Sequence, residues 1–137
     1  MPVRYLLDTN IASYAIKRNV PQVRVALVSV PMSEIGVSVV TEAELRFGVA
    51  RKGASAHLKL AVEEFLLRVE ILPWDSEAAK HYVELRSALD SSGIPMANFD
   101  LMIAAQALAV DATLVTHDRV FRRVKQLKIE DWTKPIR

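Results

Sequence analysis

Val3-Arg4-Tyr5-Leu6-Leu7-Asp8-Thr9-Asn10 is the stretch on which the reading of this chain turns. Its short apolar run ends on three polar residues, so residues 3–7 are expected to form a buried strand that stops at a polar turn. Helical spacing follows at once, with Ile11, Ala12, Ala15 and Ile16 on one side of a helix over 11–17. A strand running straight into a helix begins a βαβ unit, and the pattern recurs. Ile35-Gly36-Val37-Ser38-Val39-Val40 reads as a second strand, residues 70–74 as a third, 112–116 as a fourth and 129–132 as a last one. Between them lie helical stretches over 21–29, from Thr41 toward Gly48, over 54–69, from an Asp75 N-cap to Leu89, and over 100–110. The alternation predicts an α/β fold, with a central parallel sheet flanked by helices on both faces and one domain over 1–137.

Composition narrows the chemistry. Half of the 137 residues are apolar and a quarter charged, the balance of a globular protein. No apolar run approaches the roughly 18 residues of a membrane span. Asp8 comes too early for the apolar core of a signal peptide, and with no cysteine in the chain the expected compartment is the cytoplasm. The missing cysteines also exclude disulfides, zinc–thiolate sites and thiol catalysis. A net charge of +2 diagnoses no nucleic-acid binder. Its placement says more: Arg119, Arg122, Arg123, Lys125 and Lys128 crowd into one short stretch, either a solvated face or a phosphate-steering surface.

In open α/β sheets ligands bind beyond the carboxyl ends of the strands. Asp8 follows the first strand, Glu44 lies in the helical turn after the second, and Asp118 stands two residues past Thr116. Asp100 falls in a first helical turn that can face the same edge. Each has a plain structural alternative: Asp8 and Asp118 as helix caps, Glu44 as the return arm of a Thr41–Glu44 capping box, Asp100 as a complement to the helix dipole. Four acids converging on one edge would repel unless a cation joined them, and an all-oxygen set favours Mg²⁺ or Mn²⁺. An aspartate-nucleophile phosphatase fits poorly, because Asn10 stands where a second acid would be needed. His57 and His81 lack a partner at metal-ligand spacing.

Four segments carry a family resemblance. They are Tyr5-Leu6-Leu7-Asp8-Thr9-Asn10, Ser38-Val39-Val40-Thr41-Glu42-Ala43-Glu44-Leu45-Arg46-Phe47-Gly48, Asp100-Leu101-Met102-Ile103-Ala104-Ala105-Gln106-Ala107-Leu108 and Thr113-Leu114-Val115-Thr116-His117-Asp118. In this order they resemble the successive motifs of PIN-domain proteins, and more closely the VapC-type toxins of toxin–antitoxin pairs. The resemblance implies a Mg²⁺-dependent endoribonuclease (Mn²⁺ as the alternative ion), restrained by a small cognate antitoxin protein and assembled as a homodimer. It implies Asp8, Glu44, Asp100 and Asp118 as the catalytic and metal-binding acids, with Glu42 the competing acid of the second motif. Asn10 and Thr116 match positions that support the site through hydrogen bonds. Given such a site, Arg119, Arg122, Arg123 and Lys125 are expected to bind RNA. Two departures stand out: Ala97-Asn98-Phe99 where the family often carries a glycine, and His117 where asparagine is common. A catalytically silent PIN-like module that binds RNA or protein is the alternative. Finally, the stripe Leu58, Val62, Phe65 and Val69, with Ile11, Ala15 and Ile16, offers apolar surface for an antitoxin helix, Phe65 being the residue whose change to Asp should weaken that complex.

Overall fold

The computed structural model describes residues 2–135. Strand β1 (Tyr5–Leu7) lies at the centre of a five-stranded sheet with β2 (Ile35–Ser38), β3 (Glu70–Leu72), β4 (Thr113–Val115) and β5 (Ile129–Glu130). The order is β3-β2-β1-β4-β5 and every pairing is parallel. Side chains alternate between faces along each strand. Leu6, opposite Leu114, therefore packs on one face, while Leu7, opposite Val37 and Val115, packs on the other. All five are fully buried, which is why this strand reads as an unbroken apolar run rather than an alternation.

Six helices cover the sheet. Helices α1 (Thr9–Lys17), α2 (Pro21–Val28) and α4 (Ala56–Arg68) bury Ile11, Val23, Val62 and Phe65 against the Leu7 face. Helices α5 (Ser76–Ser91) and α6 (Asn98–Ala109) bury Leu85, Leu89, Leu101 and Ile103 against the Leu6 face. Helix α3 (Val39–Ala50) serves both, sending Val40 to the second core and Leu45 to the first. Truncating a fully buried side chain such as Leu6 or Leu7 to Ala would cost about 2–5 kcal/mol. Gly36 permits the close packing of β2: a Cβ there would meet both Val3 methyls at 3.0 Å and the Glu70 carbonyl at 3.3 Å.

The chain steps from β1 outward through β2 to β3, then crosses back to place β4 on the other side of β1. That reversal makes the crevice between the carboxyl ends of β1 and β4 the expected ligand position of an open sheet.

Several boundaries differ from the sequence reading. Strand β2 ends at Ser38, and α3 starts at Val39 rather than Thr41. The Ser38 hydroxyl accepts the Val40 amide at 3.0 Å, so a local cap overrides the strand preference of two β-branched residues. Strand β3 stops before Pro73, which has no N–H to continue a ladder. The stripe expected to dock a partner is mostly core: Ile11, Val62, Phe65 and Val69 are each less than a tenth exposed. Exposed apolar side chains on α3 and α4 include Phe47, Leu60 and Leu67, which lie off the periodic stripe. Trp132 packs on Tyr5, with ring centroids 5.4 Å apart, and Trp74 donates to the Met102 carbonyl at 2.9 Å, so both tryptophans are structural.

Candidate active site at the carboxyl ends of β1 and β4

Asp8 is the first residue after β1. Its backbone N–H still follows the sheet, donating to the Val115 carbonyl at 3.0 Å, while its side chain turns to other work. One carboxylate oxygen caps α1 by accepting the Ile11 amide at 2.9 Å, and the other accepts the Thr116 hydroxyl at 2.6 Å. The capping reading and the site reading of Asp8 are thus compatible, since a carboxylate has lone pairs for both. Burial pushes the Asp8 carboxyl above the usual carboxylate range. The hydrogen bonds from Thr116 and Ile11 oppose that shift, and the charges of Asp118 and Glu44 add to it.

Thr116, 2% exposed, is the hinge between two of the acids. Its hydroxyl donates to Asp8 and accepts the Asp118 amide at 3.0 Å, and its own N–H is fixed by the Glu130 carbonyl of β5. Asp118 in turn caps the short 3₁₀ helix Arg119–Arg123, accepting the Val120 amide at 3.0 Å. The sheet therefore sets Asp8 and Asp118 relative to one another through one buried threonine.

Glu44 does not form the capping box that was its structural alternative, because α3 has already begun at Val39. It sits in the second turn and accepts the Thr9 hydroxyl at 2.5 Å, and Thr9 also meets the buried Thr41 hydroxyl at 3.0 Å. This chain of hydroxyls joins the start of α1 to α3 and holds Glu44 where its charge acts on Asp8. Glu42, two residues earlier, pairs with Arg46 at 2.9 Å on the outer surface; Arg46 also reaches Glu63. The supporting hydroxyl at the β1 turn thus comes from Thr9. Asn10 is exposed and makes no side-chain hydrogen bond among the described residues. Its neighbour Thr9 was visible in the first motif but carried no signal of its own in the sequence.

Asp100 is the third residue of α6, a helix without a side-chain N-cap. Its carboxylate has no hydrogen-bond partner among the described residues. Burial first, then the charges of Asp118, Asp8 and Glu44, push it up to about 6. The turn that bears it is held from outside. The side-chain amide oxygen of Asn98 accepts from the Tyr82 hydroxyl at 3.0 Å and from Arg86 at 2.9 Å, and further along the helix Gln106 donates to the Leu72 and Pro73 carbonyls. Ala97-Asn98-Phe99 starts the helix without a glycine because none of the three takes a positive φ.

The four acids thus act on one another electrostatically, and among the described residues none of them has an ion-pair partner. An oxygen-only, uncompensated acidic set fits a hard divalent cation. Among the described residues no three acids close to ligand distance about a single point, so the fit is to an ion that keeps several waters and takes few protein oxygens. Arg119, Arg122, Arg123 and Lys125 lie next to the site, exposed and without acid partners among the described residues. Lys128 differs, because it pairs with Asp111 at 3.1 Å. His117 turns away toward Asp131, its Nδ1 2.8 Å from the carboxylate. Burial would raise the Asp131 carboxyl, but hydrogen bonds from Thr133 and His117 hold it below the usual range.

The sequence pattern of the PIN domain matches residues 5–127, from the first residue of β1 to beyond the 3₁₀ helix.

The chain belongs to the PIN-domain family.

Within that family it falls among the VapC ribonucleases. It is 35% identical to ribonuclease VapC2 of Rickettsia felis, over 95% of this chain and 98% of that one. It is 32% identical to the tRNA(fMet)-specific endonuclease VapC of Salmonella typhimurium, over 95% and 98%. The crystal structure of VapBC2 from Rickettsia felis bound to a DNA fragment from their promoter contains a chain with the same fold. Its TM-score is 0.87 at 33% identity, covering 95% of this chain and 99% of that one. The α/β fold expected from the strand–helix alternation is therefore the PIN fold. PIN-domain nucleases generally depend on a divalent metal ion, which agrees with the donor set described above.

Proposed function

We propose that this chain is a Mg²⁺-dependent endoribonuclease, acting in the cytoplasm as the toxin of a toxin–antitoxin pair, with one nuclease domain over the whole chain. The observation that carries the proposal is the mutually repelling acidic set at the β1–β4 crevice, which has no Lys, Arg or His ion-pair partner among the described residues. Caps alone would not leave Asp100 half-buried, unbonded and pushed up to about 6. A silent binding module gives no reason for that arrangement.

In this reading Asp8 and Asp100 hold the ion, and Glu44 and Asp118 complete its surroundings directly or through water. A divalent ion bound there would stabilise charge on the scissile phosphate and make water a better nucleophile. Thr116 keeps Asp8 oriented and Thr9 keeps Glu44 oriented, so neither acid must reorganise when the ion and RNA arrive. The reaction is hydrolysis: a water oxygen bonds to phosphorus as one bridging P–O bond breaks. Arg119, Arg122, Arg123 and Lys125 draw in the RNA backbone.

Restraint by a small antitoxin is supported by the similar chains found in VapBC structures. The exposed Phe47, Leu60 and Leu67 are better contact residues for it than the buried Phe65. A homodimer is part of the same proposal, and sedimentation of the purified chain tests it. The central experiment is RNA cleavage by the purified protein with Mg²⁺, with EDTA, and after Asp8→Asn. Cleavage that survives either EDTA or the substitution overturns the assignment. Slowed growth on expression, relieved by a small neighbouring gene, tests the toxin role.

A further inference from the structure

A cleft of about 370 Å³ is lined by Gly93, Ile94 and Pro95 on one wall and by Arg119, Val120 and Arg123 on the other, and Arg119 directly follows Asp118 in the chain. Its walls are the two segments that lead to the site. The loop Gly93–Pro95 runs into α6 and Asp100, and Arg119–Arg123 is the 3₁₀ helix capped by Asp118. From these observations we infer a subsite for the single RNA nucleotide that adjoins the scissile phosphate. The inference rests on the ribonuclease reading for its biological role, though not for its chemistry.

The cleft has the size and the make-up for such a ligand. Small-molecule sites start at about 300 Å³, close to what one nucleotide fills. Arg119 and Arg123 are both exposed and have no acid partner among the described residues, so their guanidinium groups are available for a phosphate. Ile94 and Val120 pack at the margin of the Leu6-side core and give the cleft an apolar floor for a ribose and base. Arginine can also stack on a base plane. The loop wall is built rather than loose. Gly93 holds a φ of +68°, and the Ile94 amide donates to the Leu89 carbonyl at 2.9 Å, closing the end of α5. Arg122 and Lys125 do not line the cleft. The basic stretch thus divides into two cations for one bound nucleotide and others for general attraction.

The test has two independent arms. In the first, adenosine 5′-monophosphate and inorganic phosphate are titrated into the full chain without divalent ion, followed by amide and methyl NMR shifts. The nucleotide is expected to move Gly93, Ile94 and Val120 more than phosphate does. Arg119→Ala/Arg123→Ala should weaken it about tenfold, while Arg24→Ala, on α2 across the sheet, should leave those shifts in place. In the second, cleavage is measured on RNAs that differ by one nucleotide on either side of the scissile bond. One added nucleotide should lower KM in the parent and lose that effect in the double variant, with folding checked by circular dichroism. Shifts spread evenly over the basic stretch, or a length effect unchanged by the double variant, overturn the subsite. A parent chain that binds the nucleotide in the cleft yet cuts no RNA removes the ribonuclease reading and leaves the subsite standing.

Discussion

Glu42 and Glu44 are two residues apart on α3 and meet opposite fates. On the outer side Glu42 is matched by Arg46, which also reaches Glu63, so negative charge is met by positive charge at the surface. On the inner side Glu44 shares its surroundings with Asp8, Asp100 and Asp118; among the described residues the donors to Glu44, Asp8 and Asp118 are threonine hydroxyls and backbone amides, and Asp100 has none. Hydrogen bonds orient these carboxylates without neutralising them. The site is thus an electrostatic deficit the fold maintains: buried enough to raise Asp8 and Asp100, and organised enough to fix the direction of Asp8.

Breaking the inner side should have the largest effect. Asp8→Asn and Asp100→Asn each keep shape and remove charge, and each should lower RNA cleavage in Mg²⁺ at least about a hundredfold, since an ion at the site is worth several kcal/mol to the transition state. Circular dichroism should show both variants folded. An Asp8→Asn protein cutting at the parent rate would place the site elsewhere.

Thr116→Val is the sharper probe, because it leaves all four acids in place. Asp8 would lose the hydroxyl that lowers its pKa, and the Asp118 amide would lose its acceptor. Metal affinity and cleavage should fall about tenfold, and the acid limb of the pH–rate profile should move upward. A loss of activity with an unmoved profile would mean that Thr116 acts on packing alone.

The deficit also makes a prediction about stability, with the sign reversed from a salt-bridged acid. Asp100 has its carboxyl raised from 3.8 to about 6, so between those values the folded chain holds a proton that the unfolded chain has lost. Without divalent ion, stability is therefore fullest below about 4 and declines as pH rises through about 6. Asp100→Asn should remove that part of the decline and stabilise the metal-free protein at pH 7 by about 1 kcal/mol, after discounting for the solvent that screens a half-exposed group. Thermal melts at pH 5 and pH 7 in EDTA measure it. A melting temperature lowered at pH 7 would contradict the repulsion argument.

On the outer side the smallest effect is expected. Glu42→Gln disturbs a solvent-exposed pair, so it should leave cleavage at the parent rate and barely move the melting temperature. Glu44→Gln, the same chemistry two residues away, should reduce cleavage. Equal effects from the two substitutions would erase the distinction between the faces.

The sequence reached a good deal of this without coordinates. Periodicity is set locally, so the strand at Leu6-Leu7 and the helix after it could be read directly, and with them the α/β class. Asp8 and Asp118 come shortly after β1 and β4, so the strand pattern makes both candidates at the carboxyl edge, while Glu44 and Asp100 lie inside helices and are candidates through the helical turns and motifs that carry them. Tertiary structure decided what local pattern cannot contain. Whether the stripe at Val62 and Phe65 faces a partner or a sheet depends on what packs against it, and amphipathic spacing is the same in both cases. Where β2 gives way to α3 depended on the Ser38 hydroxyl prevailing over two β-branched valines. Thr9, rather than Asn10, supports Glu44 because α3 brings Thr41 and Glu44 against the start of α1, a contact across more than thirty residues. The hydrogen bond from Thr116 to Asp8 spans 108 positions and exists only because β4 lies beside β1. Sequence fixes which groups a chain carries and their local periodicity; only the fold sets which of them share a low-dielectric edge, and so which charges remain unanswered.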